Sequence, residues 1–522
     1  MSKLYKNIVN GALSLTVAAF FVKIVGVLYK IPLMYIIGEE GMGYFNTAYV
    51  IYGFFYILCS GGIPKAITCI ISEAESRDRE NTDYLIYKKA LRLLSVFALI
   101  IFASYLILSP LISKLIGNTR ALATMIAISP TIFFVTVSGV IRGYLCSRKK
   151  LLPVSLAQVL EAVFKLVLGL IMARVGMAFS LRLELVAAMS VLGITIGSVA
   201  SFVLLYIWAE NTNKSKKAGQ SFITKENLTY KILKIALPIT IGTSILNVGN
   251  IFDASIILRG LTGSGFSIEE ANIIYGNFST LAVPMLNLVI SLVTPLTVTL
   301  LPELINVKGN TVQFSEKIDK VVFLTTFIVA PCSAVFLIYS FDLLDVLFSS
   351  SAAANGFDML CALSFGTLFL SLLNVFNTAL EAKGRFYAPI ISLSAVTATK
   401  LIFSYLFTAK TDLGYLGVPI GSTASYLVGL FTSLIILSTC KVKIKLLINS
   451  VIPTILAFVS YLLPYIFLFR NGIIFGSTLH LFIVLFISSL IYLLMCALSY
   501  YIVIKPSDNK ILKQKSSLFT EA

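Results

Sequence analysis

Apolar runs of membrane-spanning length recur along the whole chain and restrict the folds open to it. We count fourteen such runs, each reaching the roughly 20 residues that a helix needs to cross a bilayer. They are too long and too evenly apolar for barrel strands, so their backbone groups can be satisfied in lipid only within helices. We therefore predict an all-α polytopic membrane protein with about fourteen transmembrane helices. The runs lie near residues 8–37, 43–72, 90–113, 121–145, 152–176, 183–209, 230–258, 272–302, 321–348, 356–381, 388–409, 415–440, 446–469 and 475–504.

The amount and placement of charge support this class and predict an orientation. The chain is 12% charged, against about 25% in soluble domains. Lys and Arg concentrate on one side of the predicted membrane, which the positive-inside rule assigns to the cytoplasm together with both termini. We expect a multi-pass protein of the plasma (inner) membrane, and we read the net charge of +17 as topology and attraction to anionic lipids, not nucleic-acid binding. The basic inner segments include Arg148, Lys149, Lys150, Lys214, Lys216 and Lys217.

The two halves of the chain look like copies of one unit. A basic turn, a proline and an apolar run with an internal lysine occur in both, so that Pro153 corresponds to Pro389 and Lys165 to Lys400. Duplicated bundles of this kind usually bind substrate between the halves and work by alternating access. We predict a first lobe of six helices at 1–209, a cytoplasmic linker at 210–229, a second six-helix lobe at 230–440, two further helices at 441–504 and a basic cytoplasmic tail at 505–522.

Ionisable residues inside the apolar runs are the candidate functional residues. Each costs about 2.5–3.5 kcal/mol at the centre of a membrane helix, and such residues usually face a bundle interior or a water-filled path. Cations outnumber carboxylates among them, so a chamber that they line would attract anions, and lysine binds phosphate well. The candidates are Lys23, Lys30, Lys65, Glu161, Lys165, Asp253, Arg259 and Lys400.

Two of these lysines, Lys23 and Lys30, lie seven residues apart in the first run, in the stretch VKIVGVLYKIP. On a helix they share one face, about 10 Å apart along the axis. We predict that they bind an anionic headgroup together with Lys65, Arg259 and Lys400. In the alternative interpretation the lysines extend to the membrane interface, which suits Lys23 poorly, and Arg259 ends its helix at the outer surface.

A helix break is predicted at Gly61, Gly62 and Pro64, directly before Lys65. Glycine and proline at this point free backbone groups that need polar surroundings. We predict a hinge with an adjacent cation, which suits an anion site. The alternative is a simple kink near the cytoplasmic face, with Lys65 extending to water.

The remaining candidates are predicted to couple ions or balance charge. Glu161 and Lys165 are spaced i, i+4 in the fifth run, which favours an ion pair between them, and such a pair can also be purely structural. Asp253 lies in the middle of the seventh run, with Na+ or H+ as the candidate coupled ion. We predict no other cofactor, because no residue cluster has metal-ligand spacing. Without a phosphate-binding loop or a nucleophile near a base, the chain is not expected to be an enzyme.

A motif in residues 28–73 combines Leu-Tyr-Lys-Ile-Pro at 28–32, the loop GEEGMG at 38–43, Ala48-Tyr49, and the run GIPKAI at 62–67 before Ser72-Glu73. This motif resembles the stage V sporulation protein B family of polysaccharide-biosynthesis membrane proteins. That family is part of the multidrug/oligosaccharidyl-lipid/polysaccharide exporter superfamily. A looser resemblance covers nearly the whole chain, including the plan of six, six and two helices.

The resemblance implies a flippase for undecaprenyl-pyrophosphate-linked sugars, such as the peptidoglycan precursor lipid II. It also implies a central cavity between two lobes, a groove for the lipid tail near the last two helices, and membrane lipids and envelope-synthesis enzymes as partners. Lipid II flippases carry cavity cations on helices 1, 2 and 8, but here Gly276 and Asn277 stand at the place expected on helix 8. Asp253 and Arg259 are candidates to compensate, and another lipid-linked oligosaccharide remains possible.

Two alternative functions stay open at this point. One is a drug or organic-cation antiporter of the same superfamily, although such antiporters typically have twelve helices and acidic cavities. The other is a non-transporting membrane scaffold for envelope assembly, which would not need buried charges on several helices.

Overall fold

The computed structural model describes residues 3–76, 82–148, 150–213, 228–385, 387–409, 413–470 and 477–499, and within them it contains helices and no strand. The predicted all-α class is confirmed. The helices are α1 (Lys3–Ser60), α2 (Ile63–Ser76), α3 (Thr82–Ile116), α4 (Leu122–Ser147), α5 (Leu151–Ala178), α6 (Leu183–Asn213), α7 (Leu228–Gly263), α8 (Ile268–Asn277), α9 (Val283–Asn306), α10 (Thr311–Ile338), α11 (Ser340–Leu347), α12 (Ser350–Ala382), α13 (Ala388–Ala409), α14 (Gly417–Thr439), α15 (Ile452–Arg470) and α16 (Ser477–Ser499).

Twelve helical segments of the described chain are long and apolar enough to cross a membrane, which makes this a multi-pass membrane protein. The predicted count of fourteen is not confirmed. One segment, Phe21–Ile71, holds most of the first two predicted runs. Within it the backbone is non-helical at Gly38, where φ is +67°, so two helical stretches of α1 meet there across a kink. The helix α7, which contains the predicted run 230–258, is not among the twelve.

The chain divides into two compact units. The first consists of Met1–Thr280 with Thr408–Tyr415 and contains α1 to α8; the second consists of Leu281–Phe407 with Leu416–Ala522. The lobes predicted from the sequence repeat stay a prediction. Most of the linker 210–229 and the whole tail 505–522 lie outside the described residues.

The first unit has an apolar core built by α2 to α7. Ile67, Tyr144 and Leu205 are fully buried in it, and the ring of Tyr87 stacks on that of Tyr144 with centroids 4.5 Å apart. Burying such side chains stabilises each by about 1.5–3 kcal/mol. This core fixes the helices that carry the charged candidates.

The second unit packs its last two helices, α15 and α16, against α10. Tyr339 donates a 2.8 Å hydrogen bond to the carbonyl oxygen of Tyr461, whose hydroxyl lies 2.9 Å from that of Ser489. The opposite faces of α15 and α16 expose large apolar side chains, which suits contact with lipid. These include Phe467, Phe482, Phe486 and Leu494.

Candidate substrate-binding site

Glycines let α1 and α8 approach closely in the first unit. A Cβ atom on Gly43 would lie 2.4 Å from the carbonyl oxygen of Asn272, and one on Gly276 would lie 2.4 Å from the carbonyl oxygen of Glu39. Neither distance is possible for real atoms, so any larger residue would push the helices apart. Gly43, the last glycine of the GEEGMG motif, and Gly276, which stands where a cation on helix 8 was expected, both permit this close packing.

Buried amides and hydroxyls join α1 to α8 next to this contact. Asn118 donates to the side-chain oxygens of Asn272 at 2.7 Å and Thr47 at 3.0 Å, and Asn46 donates to the hydroxyl of Thr280 at 2.7 Å. A buried hydrogen bond of this kind contributes about 0.5–1.5 kcal/mol, and leaving its partner unsatisfied costs more. We call this set the polar seam: Asn46, Thr47, Asn118, Asn272, Asn277 and Thr280.

Lys30 borders the polar seam. Its half-buried ammonium donates to Oδ1 of Asn46 at 3.0 Å and to the carbonyl oxygen of Ser279 at 2.7 Å. Ser279 lies in the π-helical turn Phe278–Ala282, a type of irregularity that is frequent at functional sites. Both acceptors are neutral, so the positive charge of Lys30 has hydrogen bonds but no carboxylate among the described residues.

The two other N-terminal lysines lie apart from the seam contacts. Lys23 and Lys65 both have exposed side chains, Lys23 about two turns before Lys30 on α1. The helix α1 ends at Ser60 and α2 begins at Ile63, so Gly61 and Gly62 form the bend and Pro64 lies in the first turn of α2. A Cβ atom on Gly62 would lie 2.2 Å from the carbonyl oxygen of Ala236 on α7.

The predicted ion pair between Glu161 and Lys165 is wrong. Glu161 on α5 instead pairs with Arg142 on α4, at 3.1 Å between Oε2 and Nη2. The side chains of Arg142 and Glu161 are 13% and 21% exposed. Arg142 also donates to the hydroxyl of Ser201 at 3.4 Å. A guanidinium offers more donors than an ammonium and satisfies a half-buried carboxylate better.

Lys165 is held by aromatic rings. Its ammonium lies 4.6 Å from the ring centroid of Tyr49 and 5.3 Å from that of Tyr29, and it contacts the hydroxyl of Tyr49 at 3.4 Å. Tyr29 is fixed in turn by a 2.9 Å hydrogen bond to the carbonyl oxygen of Ser190. Lys30 directly follows Tyr29 in the chain, and its acceptor Asn46 lies about one helical turn before Tyr49 on α1. The residues that contact Lys165 are therefore neighbours of Lys30 and of its acceptor.

The remaining candidates are distributed over both units. Asp253 on α7 is buried and lies near Tyr275 of α8. Arg259, also on α7, is exposed and donates a 2.7 Å hydrogen bond to the carbonyl oxygen of Lys114 at the end of α3. Lys400 belongs to the second unit, where it is buried with its ammonium 5.9 Å from the ring centroid of Tyr426.

Sequence reasoning missed Arg142 and the aromatic partners. Arg142 lies inside the predicted run 121–145, so its charge was a usable signal. Phe45, Tyr49 and Tyr52 lie at helical spacing on one face of α1, with successive centroids 5.7 and 5.9 Å apart. Such a stripe is more common in cores than in binding sites, and only the structure shows a lysine against it.

These features define a class: a polytopic membrane protein of the transporter type, with cations held inside a helical bundle. The chain belongs to the polysaccharide biosynthesis protein family, whose model matches residues 8–308. The sequence is similar to stage V sporulation protein B of Bacillus subtilis (strain 168), with 23% identity over 449 residues that cover 84% of this chain and 86% of that protein. It is also similar to the lipid II flippase MurJ of the same organism, with 20% identity over 449 residues and coverage of 81% and 82%.

Solved structures share the fold. A lipid II flippase MurJ in an inward closed conformation matches with a TM-score of 0.71 and 16% identity, over 94% of this chain and 99% of that chain. An inward-facing multidrug resistance MATE family transporter of the MOP superfamily matches with a TM-score of 0.60 and 16% identity, over 82% and 95%. At these identities the likeness establishes the fold, and the substrate has to be argued from the site.

Proposed function

We propose that this protein is a flippase that moves an undecaprenyl-pyrophosphate-linked oligosaccharide, or a peptidoglycan precursor like lipid II, from the inner to the outer leaflet of the plasma membrane. It works by alternating access, with both termini in the cytoplasm. The lipid is destined for cell-wall, spore-cortex or polysaccharide synthesis. The relatives named as a sporulation protein and as a lipid II flippase support this class of substrate.

The observation that carries the proposal is the environment of Lys30. The half-buried ammonium of Lys30 has an amide and a backbone carbonyl as its partners and no carboxylate within ion-pair distance among the described residues. Burying a charge is expensive, so such a group is usually retained for function. A diphosphate supplies the missing negative charge. Lys23 and Lys65, both exposed, remain candidates for the approach of the headgroup, and Arg259 and Lys400 remain candidates along its path.

Energy for the movement comes from gradients or from substrate supply. Moving a negative headgroup outward across an inside-negative membrane is favourable by about 2.3 kcal/mol per charge per 100 mV. Asp253, buried on α7, is the candidate for coupling to Na+ or H+. In this proposal Glu161 balances the charge of Arg142.

A reconstituted flipping assay tests the proposal. Proteoliposomes receive a fluorescent polyprenyl diphosphate sugar, and an impermeant reagent measures the fraction that has reached the opposite leaflet. We expect Lys30→Met to lower the initial rate by at least about tenfold, because one charge-assisted contact to phosphate is lost. Lys88→Met is the matched control, since Lys88 is an exposed lysine of α3 in the same unit.

The same assay separates the alternatives. Transport of an organic cation, with no movement of the diphosphate lipid, would favour an antiporter, a function to which the MATE-like fold lends some weight. A folded protein that moves neither compound, in a strain whose envelope assembly depends on it, would favour a scaffold. Equal rates for wild type and Lys30→Met would remove Lys30 from the site.

A further inference from the structure

We propose that Lys165, held by Tyr29 and Tyr49, is the second cation of a diphosphate site whose first cation is Lys30. This inference rests on the proposed function and names the part of the site that recognises a diphosphate in preference to a monophosphate. Lys165 enters this site from α5, a different helix from the one that carries Lys30.

The two lysines differ from three arginines of the first unit that pair with carboxylates. Arg142 pairs with Glu161, Arg120 pairs with Glu269, and Arg148 pairs with Asp83. Lys30 and Lys165 both have neutral partners: an amide and a carbonyl for Lys30, and a tyrosine hydroxyl and two rings for Lys165. Among the described residues, neither ammonium has a carboxylate within ion-pair distance.

Their proximity makes the pair unfavourable without an anion. The two rings that hold Lys165 belong to Tyr29, the chain neighbour of Lys30, and to Tyr49, one turn from the Lys30 acceptor Asn46, and like charges repel more strongly in a bundle than in water. Aromatic faces attract an ammonium only weakly and do not cancel its charge. An anion between the two ammonium groups removes the repulsion and adds two attractive contacts.

The contacts around Lys165 fix its position. Tyr29 is fully buried and bonded to the carbonyl oxygen of Ser190 on α6, so its ring cannot swing away. The ring of Tyr49 stacks on that of Phe45, with centroids 5.7 Å apart. Lys165 thus has little freedom to extend its charge elsewhere, and a fixed cation discriminates between ligands better than a mobile one.

A diphosphate fits two neighbouring cations better than a monophosphate does. Lysine binds phosphate as a point charge, so two ammonium groups on different helices can each contact one of two linked phosphate groups. A monophosphate with the same lipid tail presents one phosphate group, and its binding depends on Lys165 much less. The ratio of the two affinities therefore reports on Lys165 specifically.

Binding measurements on the full chain in nanodiscs test this inference. Polyprenyl diphosphate and polyprenyl monophosphate of equal tail length are titrated, with inorganic diphosphate in a separate titration to show whether the headgroup alone is recognised. We expect wild type to prefer the diphosphate lipid by at least about tenfold. Lys165→Met should reduce that preference to about twofold or less while monophosphate affinity changes little, and Lys165→Arg should retain most of it.

Matched variants separate recognition from folding. Lys88 lies 4.7 Å from the ring centroid of Tyr84 without a place in the site, so Lys88→Met removes a similar cation–ring contact and should leave the preference unchanged. Tyr49→Leu removes a ring that holds Lys165 and should partly reduce the preference for the diphosphate lipid. This variant tests the inference if Lys165→Met does not fold.

Two outcomes would overturn the inference. A folded Lys165→Met protein that retains the full preference would show that Lys165 takes no part, while the proposed function would stand on wild-type binding of the diphosphate lipid. Wild type that binds neither lipid would contradict both the inference and the proposed function.

Discussion

The ammonium of Lys30 and the backbone carbonyl of Ser279 are joined by a 2.7 Å hydrogen bond, although 249 residues separate them in the chain. Ser279 lies in the π-helical turn after α8, where the regular helical bonding pattern is interrupted. Any anion that binds Lys30 competes with this carbonyl. The residue proposed to bind the headgroup therefore also stabilises the contact between α1 and the end of α8.

We predict that Lys30→Met loosens residues 272–282. The substitution removes a charge-assisted hydrogen bond worth about 1.5–3 kcal/mol, so amide hydrogen exchange in this segment should accelerate by roughly tenfold or more. Hydrogen exchange with mass spectrometry on the full chain gives the rates. Lys23→Met is the control, because Lys23 is exposed on the same helix. Unchanged exchange in Lys30→Met would show that the Ser279 contact does not stabilise the turn.

We predict that Glu161→Gln destabilises the first unit by about 1–3 kcal/mol, because it leaves Arg142 inside the bundle without its counter-ion. Thermal unfolding in detergent measures the loss, and a double-mutant cycle with Arg142→Met isolates the pair. The control is the more exposed pair of Lys317 and Glu303, at 3.2 Å, where Glu303→Gln should cost less than about 1 kcal/mol. Equal losses of stability in Glu161→Gln and Glu303→Gln would show that burial does not strengthen the pair of Arg142 and Glu161.

We predict that Gly43→Ala separates α1 from α8. Its methyl group would meet the backbone carbonyl of Asn272 at 2.4 Å, and overpacking of this kind typically costs about 1–3 kcal/mol. The melting temperature in detergent should fall. Gly53→Ala on the same helix is the matched control, because nothing lies within 4 Å of the added methyl group. A melting temperature that is the same in both variants would contradict the close contact.

We predict that Asp253→Asn changes how flipping responds to an imposed ion gradient. Asp253 is buried on α7, and amide replacement removes the charge while keeping the shape. Flipping rates are measured in proteoliposomes with a sodium gradient, a proton gradient or no gradient. We expect an imposed gradient to change the wild-type rate by roughly fivefold or more, and Asp253→Asn to lose this response. A gradient response equal to that of wild type would remove Asp253 from coupling.

The sequence predicts the helices better than it predicts their partners. Apolar runs report directly on membrane helices, and the bend between α1 and α2 falls where Gly61 and Gly62 stand. The sequence places the boundary between the first two runs at residues 38–42, and the backbone is non-helical at Gly38, where φ is +67°. The count of spans stays a prediction, because the long segment Phe21–Ile71 holds most of both runs.

The site illustrates why partners are hard to predict. The i, i+4 spacing of Glu161 and Lys165 favours a local ion pair. Glu161 instead pairs with the guanidinium of Arg142 on α4, at 3.1 Å. The bond from Lys30 to Ser279 uses a backbone carbonyl, which carries no signal in the amino-acid sequence. Charges inside apolar runs can be found from sequence, whereas their pairing depends on helix packing.

The most direct test of the central claim is mass spectrometry of the lipids that co-purify with the full chain from its native membrane. The account predicts polyprenyl diphosphate species bound to wild type and depleted by at least about tenfold in Lys30→Met. Wild type that carries organic cations instead, or diphosphate lipid that is retained equally by Lys30→Met, would contradict it.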